Sequence, residues 1–203
     1  MATESVTAQT LRFLQTENAR LQEENDRLRQ EVLSLRGYIA ALDALQRAAQ
    51  NISSETDLEQ LLDTILYSAL EVVNAADGSL LLLDLDTDEL VFVVVHGQIE
   101  SELCGYRIGG DEGLAGWVAA HGEPLIVNEP RRDPRFLSRI DELFGFETKS
   151  IICVPLVVGD RALGVVEILN KFSQEPFNEA DLDLLTVLAN IAATALDKIA
   201  SAS

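Results

Sequence analysis

Few side chains in this 203-residue sequence are suited to chemistry, and they are scattered. Cys104 and Cys153 lie far apart, with neither the spacing of metal ligands nor a disulfide framework. Cys153 falls in the apolar run IICVPL, where a thiol behaves as a small core residue; Cys104 falls in a loop. His96 ends an apolar run, where it can hydrogen-bond a ligand and titrate near neutral pH, or stand in solvent. His121 precedes Gly122 and fits the C-terminal turn of a helix, facing the dipole. Trp117 can stack on a base, but packing against a sheet is the simpler reading. Arg131, Arg132, Arg135, Arg139 and Lys149 cluster as an anion cradle would. Glu129, Asp133, Asp141, Glu142 and Glu147 share that stretch, so solvated ion pairing fits it better. No Gly-rich phosphate loop, kinase, cyclase or helix-turn-helix signature is present, and no enzyme is expected.

The elements that must position these groups are clearer. Thr56 and Glu59 form a T-x-x-E capping box for a helix over about 57–75, whose apolar face carries Leu58, Leu61, Leu62, Ile65, Leu66, Ala69 and Val73. Two apolar runs flank Asp86-Thr87-Asp88 and predict a β-hairpin. A short strand near Tyr106–Ile108, a glycine-bounded helix GLAGWVAAHG and a strand EPLIV follow. Residues 128–148 read as a long polar connection, partly helical. A second hairpin turns at Gly159-Asp160. The last helix starts at Asn178, with Phe177 and Leu182 as a hydrophobic staple, and its apolar stripe runs to Leu196 and Ile199. Helix, hairpin, mixed connection, hairpin, helix implies an antiparallel sheet with the terminal helices on one face. The connection covers the other face and can enclose a pocket.

Ahead of this body stands a heptad ladder, with Leu14, Leu21, Leu28, Leu35 and Leu42 at position d and Leu11, Asn18, Asn25, Val32 and Ile39 at position a. A narrow seam of 3.5-residue period suits a two-stranded coiled coil, and Asn at a favours parallel pairing in register. Glu24 and Glu31 at g then meet Arg29 and Arg36 at e of the partner. The expected organisation is a parallel coiled-coil helix over 1–52, continuous through Gly37, and a globular domain over 53–203. Residues 51–55, NISSE, break the pattern between them. A parallel homodimer through 11–42 follows.

The net charge of −19 is unevenly placed. Residues 1–50 hold six basic and seven acidic side chains; the remaining 153 hold nine and 27. An acidic body repels nucleic acid and anionic lipid, and the segment before the zipper lacks the basic stretch that DNA-gripping zippers need. No apolar run reaches the ~18–20 residues that span a bilayer, and the N-terminus does not read as a secretory signal. With few cysteines, a reducing, cytoplasmic setting is expected.

In order, GSLLLLD, GLAGWVAAHGEPLIV, DPRF, GFETKSIICVPL, LGVVEILNK and FNEADLDLLTVLANIAATAL resemble a GAF domain over about residues 55–200. Much of the resemblance is to GAF domains of cyclic-nucleotide phosphodiesterases and bacterial adenylate cyclases. It implies an α+β fold: a six-stranded antiparallel sheet flanked by helices, with a small-molecule pocket under the long connection. It also implies a regulatory module that dimerises through its terminal helices. Asn170, Lys171, Phe177 and Asp181 match the family's N-K…F-x-x-x-D-E pattern, with Leu182 in place of the final Glu. That motif braces the fold and pairs the Lys with the Asp. Ser79, Ala115, Thr148 and Glu167 agree with the cyclic-GMP-binding pattern; Leu114 adjoins Ala115. His96 replaces an Asp, Leu137 a Tyr and Phe144 a Thr, so polar groups that read a guanine edge are lost. The implied ligand-binding set is therefore Ser79, His96, Leu114, Ala115, Thr148 and Glu167, with no metal. The ligand can be a cyclic nucleotide, another small metabolite, or absent. Free methionine-sulfoxide reductases share the fold, but they need a cluster of redox cysteines that Cys104 and Cys153 do not supply. The expected function is a dimeric signalling module that senses a small effector and passes the signal to a partner such as a sensor kinase or cyclase. A ligand-free scaffold is the alternative.

Overall fold

The computed structural model describes residues 2–50 and 55–202. Most of the expected NISSE break lies outside them, as do the side chains of Leu11, Glu31, Leu42, Thr56 and Ile199. The chain clusters into two compact units that meet at Gly37 and Tyr38.

Helix α1, Ala2–Gln50, runs unbroken through that point. Its seam residues Leu14, Leu21, Leu28, Val32, Leu35 and Ile39 are each about half exposed. Within the helix Arg20 pairs with Glu17 at 2.6 Å and Arg29 approaches Asp26 at 3.8 Å. Such solvent-exposed pairs contribute little to stability.

The second unit is built on one six-stranded sheet. Helix α2 (Glu55–Val73) ends at Asn74, which takes a left-handed φ of 56°. Asn tolerates that conformation better than most residues, so it stops the helix there. Strands β1 (Ala75–Asp84) and β2 (Glu89–His96) form the first hairpin, held at its turn by Arg107 between Asp84 (2.9 Å) and Glu89 (2.8 Å). Then come α3 (Glu100–Leu103), β3 (Arg107–Gly109), α4 (Gly113–His121) and β4 (Leu125–Val127). A 3-10 turn (Pro130–Arg132) and α5 (Ser138–Phe144) supply the expected partial helicity of the connection. Strands β5 (Ile151–Val158) and β6 (Arg161–Lys171) make the second hairpin, and α6 (Glu179–Ala202) closes the unit.

The strand order is β3-β2-β1-β6-β5-β4, and every neighbouring pair is antiparallel. At Gly164 β6 presses so close to β1 that a Cβ would overlap the Leu81 carbonyl, so only glycine fits. Strand alternation gives each hairpin two apolar faces. One face meets α2 and α6, where Ile65, Leu66, Leu80, Ile152, Ile168 and Leu185 are fully buried. Each such side chain contributes about 1.5–3 kcal/mol on leaving water. The other face, with Leu81, Phe92, Cys153 and Val165, lies under α4 and the connection.

The α6 start matches its sequence signals. Asn178 Oδ1 accepts the Ala180 N–H at 2.9 Å, and Phe177 is buried ahead of a Leu182 that packs on the same core. Asp181 Oδ2 accepts the Asn178 N–H in return and takes the Lys171 ammonium at 2.6 Å.

Candidate functional site

A cavity of about 70 Å³ lies on the second face, between the sheet and its covering connection. All six residues of the expected ligand set border it: Ser79, His96, Leu114, Ala115, Thr148 and Glu167. They come from β1, β2, α4, the end of the connection and β6, so only the folded sheet and its cover bring them together. Leu137 reaches the cavity wall as well, whereas Phe144 and Trp117 stay outside it.

The floor carries one polar row across three strands. Register places Ser79 of β1 and Cys153 of β5 on either side of Glu167 of β6. The Ser79 hydroxyl donates to Glu167 Oε2 at 3.2 Å, and the Cys153 thiol donates to Oε1 at 3.5 Å. Burial pushes the Glu167 carboxyl above its ordinary pKa, and the two hydrogen bonds only partly offset it. Burial, then the neighbouring Glu167, pushes the Cys153 thiol well above its ordinary value. Cys153 is therefore protonated and inert at neutral pH, not a nucleophile.

His96 borders the cavity differently from the rest. Its ring lies against α2, with Nε2 2.8 Å from Asp63 Oδ1 and the ring edge-on to Tyr67 at 6.2 Å. The cause is a bulge. The β1–β2 ladder pairs Leu81 with Phe92 but Leu80 with Val94. One extra residue in β2 reverses the alternation beyond it, turning Val95 to the cavity and His96 to α2. The Nε2–Asp63 contact is poorly aligned, and Nε2 has no hydrogen-bond partner in line.

The roof is latched by carboxylates that the sequence presents as ordinary ion-pair partners. Asp141, only 4% exposed, accepts the Thr148 hydroxyl at 2.7 Å, the Thr148 N–H at 3.0 Å and Arg131 at 3.1 Å. This ties α5 to the entry of β5. Glu112 accepts the Gly109 N–H at 3.0 Å and grips Arg139 at 2.7 Å, tying α5 to the turn before α4. The Gly109 N–H, then Arg139, hold its carboxyl below its ordinary value. No pattern of residue types singles out Asp141; its partner Thr148 stands seven residues on, past the left-handed turn at Gly145.

Every basic residue of the connection has its own carboxylate: Arg131 with Asp141, Arg132 with Glu129, Arg135 with Asp133, Arg139 with Glu112 and Lys149 with Glu147. Ion pairing, not an anion cradle, uses this cluster. Trp117 is half-buried and packs on the core of this face, with the Arg135 guanidinium over its ring at 4.7 Å and the His121 ring stacked on it at 4.3 Å. His121 ends α4, with Nδ1 2.8 Å from the Trp117 carbonyl. Outside the cavity, Asn170 accepts the Lys149 and Ser150 N–H groups and donates to the Glu147 carbonyl. With the Lys171–Asp181 pair it braces the fold, as the family pattern implies.

The GAF domain model matches residues 57–196. The chain belongs to the GAF domain family. It is 30% identical, over 147 residues, to the dual 3',5'-cyclic-AMP and -GMP phosphodiesterase 11 of Drosophila melanogaster. That match takes in 65% of this chain and 10% of the fly protein, so the chain spans a small part of that relative. The GAF domain of a phosphoenolpyruvate-protein phosphotransferase from Coxiella burnetii superposes with a TM-score of 0.69 at 23% identity, covering 81% of this chain and 96% of that one. Free methionine-R-sulfoxide reductase from Neisseria meningitidis, solved with its substrate, superposes with a TM-score of 0.63 at 23% identity, over 80% and 92% of the two chains. GAF domains form a family of small-molecule-sensing and regulatory domains, and the six-stranded sheet with flanking helices is their fold. Among the described residues, no helix is long and apolar enough to cross a membrane.

Proposed function

We propose that this chain is a non-enzymatic regulatory module that binds a small effector beneath its connection and signals as a parallel homodimer. The observation that carries the reading is the lined cavity: a buried carboxyl and hydroxyl row on its floor, under a roof latched by two carboxylates. A cyclic nucleotide is the candidate that the fly phosphodiesterase raises. At about 70 Å³ the space is smaller than the roughly 300–1,000 Å³ of drug-sized ligand sites, so a nucleotide enters only if the roof lifts. A ligand shifts an equilibrium by its differential affinity for two states. Here those states are the latched and released positions of α5, set by Asp141–Thr148 and Glu112–Arg139. The half-exposed seam of α1 pairs two copies and would carry the change to a signalling partner such as a sensor kinase or cyclase.

Thermal-shift screening of the whole chain against cyclic nucleotides and common metabolites tests this. A ligand at a hundred times its Kd adds about 2.7 kcal/mol. That raises the Tm by roughly 5–11 °C for a domain of this size. If nothing in the panel stabilises the protein, the competing reading, a ligand-free adaptor with a filled pocket, takes its place.

A further inference from the structure

Among the described residues, His96 alone borders both the cavity and a second hollow beside α2, which Tyr67, Leu70, Glu71 and Phe172 help to line. The cavity lies on the connection face of the sheet, and α2 packs on the other. The cavity wall holds the end of β2 on either side of His96. Before it, Val95 is buried against the cavity. Beyond it, Asp77 of the cavity wall accepts the Gln98 N–H at 3.0 Å. Gly97, at φ 117°, lies so close to Asp77 Oδ1 that a Cβ would overlap it. Whatever fills the cavity therefore bears on both neighbours of His96.

Of the two strands that meet here, β2 is the freer. Opposite His96, β1 has Gly78, where a Cβ would stand 2.9 Å from Ile168 Cδ1 and 3.1 Å from Leu70 Cδ2, so β1 is packed tightly. Strand β3 pairs with β2 only at Glu89–Val91, so Val94–His96 are laddered on one side, to β1.

On α2, His96 meets Asp63 and Tyr67, which are four residues apart and share one exposed helix face. Facing a carboxylate at 2.8 Å, Nε2 must carry a proton, yet the bond is out of line. A buried polar atom without an aligned partner is costly, so a small displacement that aligns it is favoured. Two arrangements of one contact, biased from the cavity, are what coupling between sites requires.

We propose that His96 is a positioning residue that carries the state of the cavity to α2: a molecule filling the cavity displaces the Val95–Gln98 end of β2 and brings Nε2 into line with Asp63. This rests on the sensing reading above and adds to the α5 latch an output on the opposite face of the sheet.

The chain has two histidines, so His121 is the reference for ring-nitrogen NMR of the full chain at one fixed pH. Xenon under pressure is the probe, because it enters apolar cavities. As xenon moves the Val95 methyl resonances, the His96 ring is expected to shift at least three-fold more than His121. Asp63→Ala should at least halve that shift and keep the Val95 response. Movement of Val95 without the excess at His96, or an excess that Asp63→Ala leaves whole, would overturn the proposal. If xenon leaves Val95 unmoved, urea unfolding of Val95→Ala, Asp63→Ala and their combination decides. Separated sites with no shared partner change the folding equilibrium independently, to within about two-fold. Here a deviation of at least three-fold is expected, and its loss when the same variants are made in a His96→Ala chain. A smaller deviation, or one that persists without His96, would overturn the proposal. Neither measurement uses an effector, so failure here leaves the sensing reading standing, while a silent metabolite panel removes that reading by itself.

Discussion

Replacing Asp181 by Ala should unfold the second unit at markedly lower denaturant. Asp181 and Lys171 meet at 2.6 Å with side chains only 12% and 10% exposed. Removing one member of such a pair leaves the other charge buried and uncompensated, which costs about 3–5 kcal/mol. The residual exposure favours the lower end, near 3. Asp181 also accepts the Asn178 N–H in the α6 cap, and losing that adds roughly 1 kcal/mol. A Tm fall of about 8–16 °C follows from 2–4 °C per kcal/mol. The double variant Lys171→Met, Asp181→Leu separates the pair from the site. Methionine keeps an apolar stem beside the Phe177 ring, over which the lysine Nζ now sits at 5.5 Å. Substituting a buried pair by apolar residues is often neutral, so only the cap contribution of about 1 kcal/mol should be lost. Urea unfolding of the full chain, at one fixed protomer concentration so that any self-association acts on all three alike, measures all three proteins. A single variant costing under about 1 kcal/mol, or a double variant no more stable than the single, would refute the reasoning.

Three further outcomes are expected. The folded pKa of Glu167 is raised, so its favourable contribution is complete below the unfolded value near 4.3 and is lost as pH rises through the folded value. Glu167→Gln should therefore gain stability relative to the parent between pH 4.5 and 7.5; equal urea midpoint differences at both pH values would contradict this. Of the two thiols, exposed Cys104 should react promptly with a disulfide reagent while buried Cys153 waits for unfolding, giving one fast equivalent per chain. On the proposed pairing, the parent chain should sediment as a dimer at micromolar concentration and Leu21→Ala with Leu28→Ala as a monomer, since both leucines hold d positions in the half-exposed seam of α1.

The elements were legible because their signals are local. Asn178 with Phe177 marked the start of α6, Asp86-Thr87-Asp88 and Gly159-Asp160 marked the hairpins, and the period of the leucines marked a long first helix. The shared wall of the cavity was legible only through the family resemblance, because Ser79, Thr148 and Glu167 meet across strands far apart in the chain. Trp117 packs on the core as its apolar setting suggests, but no local pattern says that Arg135, from the connection, covers its ring.

The sequence by itself determined the order of helices and strands, the heptad seam and the neutral charge balance of the connection. Each depends on neighbours within one or two turns. The tertiary structure decided which groups share the cavity, and two bulges show why. Counted from its turn, β5–β6 would set Cys153 opposite Val166; the irregularity at Leu156–Val157 moves it opposite Glu167. The bulge in β2 likewise sends His96 to α2 rather than toward Ser79. One inserted residue reverses every later side chain in a strand, and whether it is inserted is set by packing between sheet and helices, not by the residues of the strand alone.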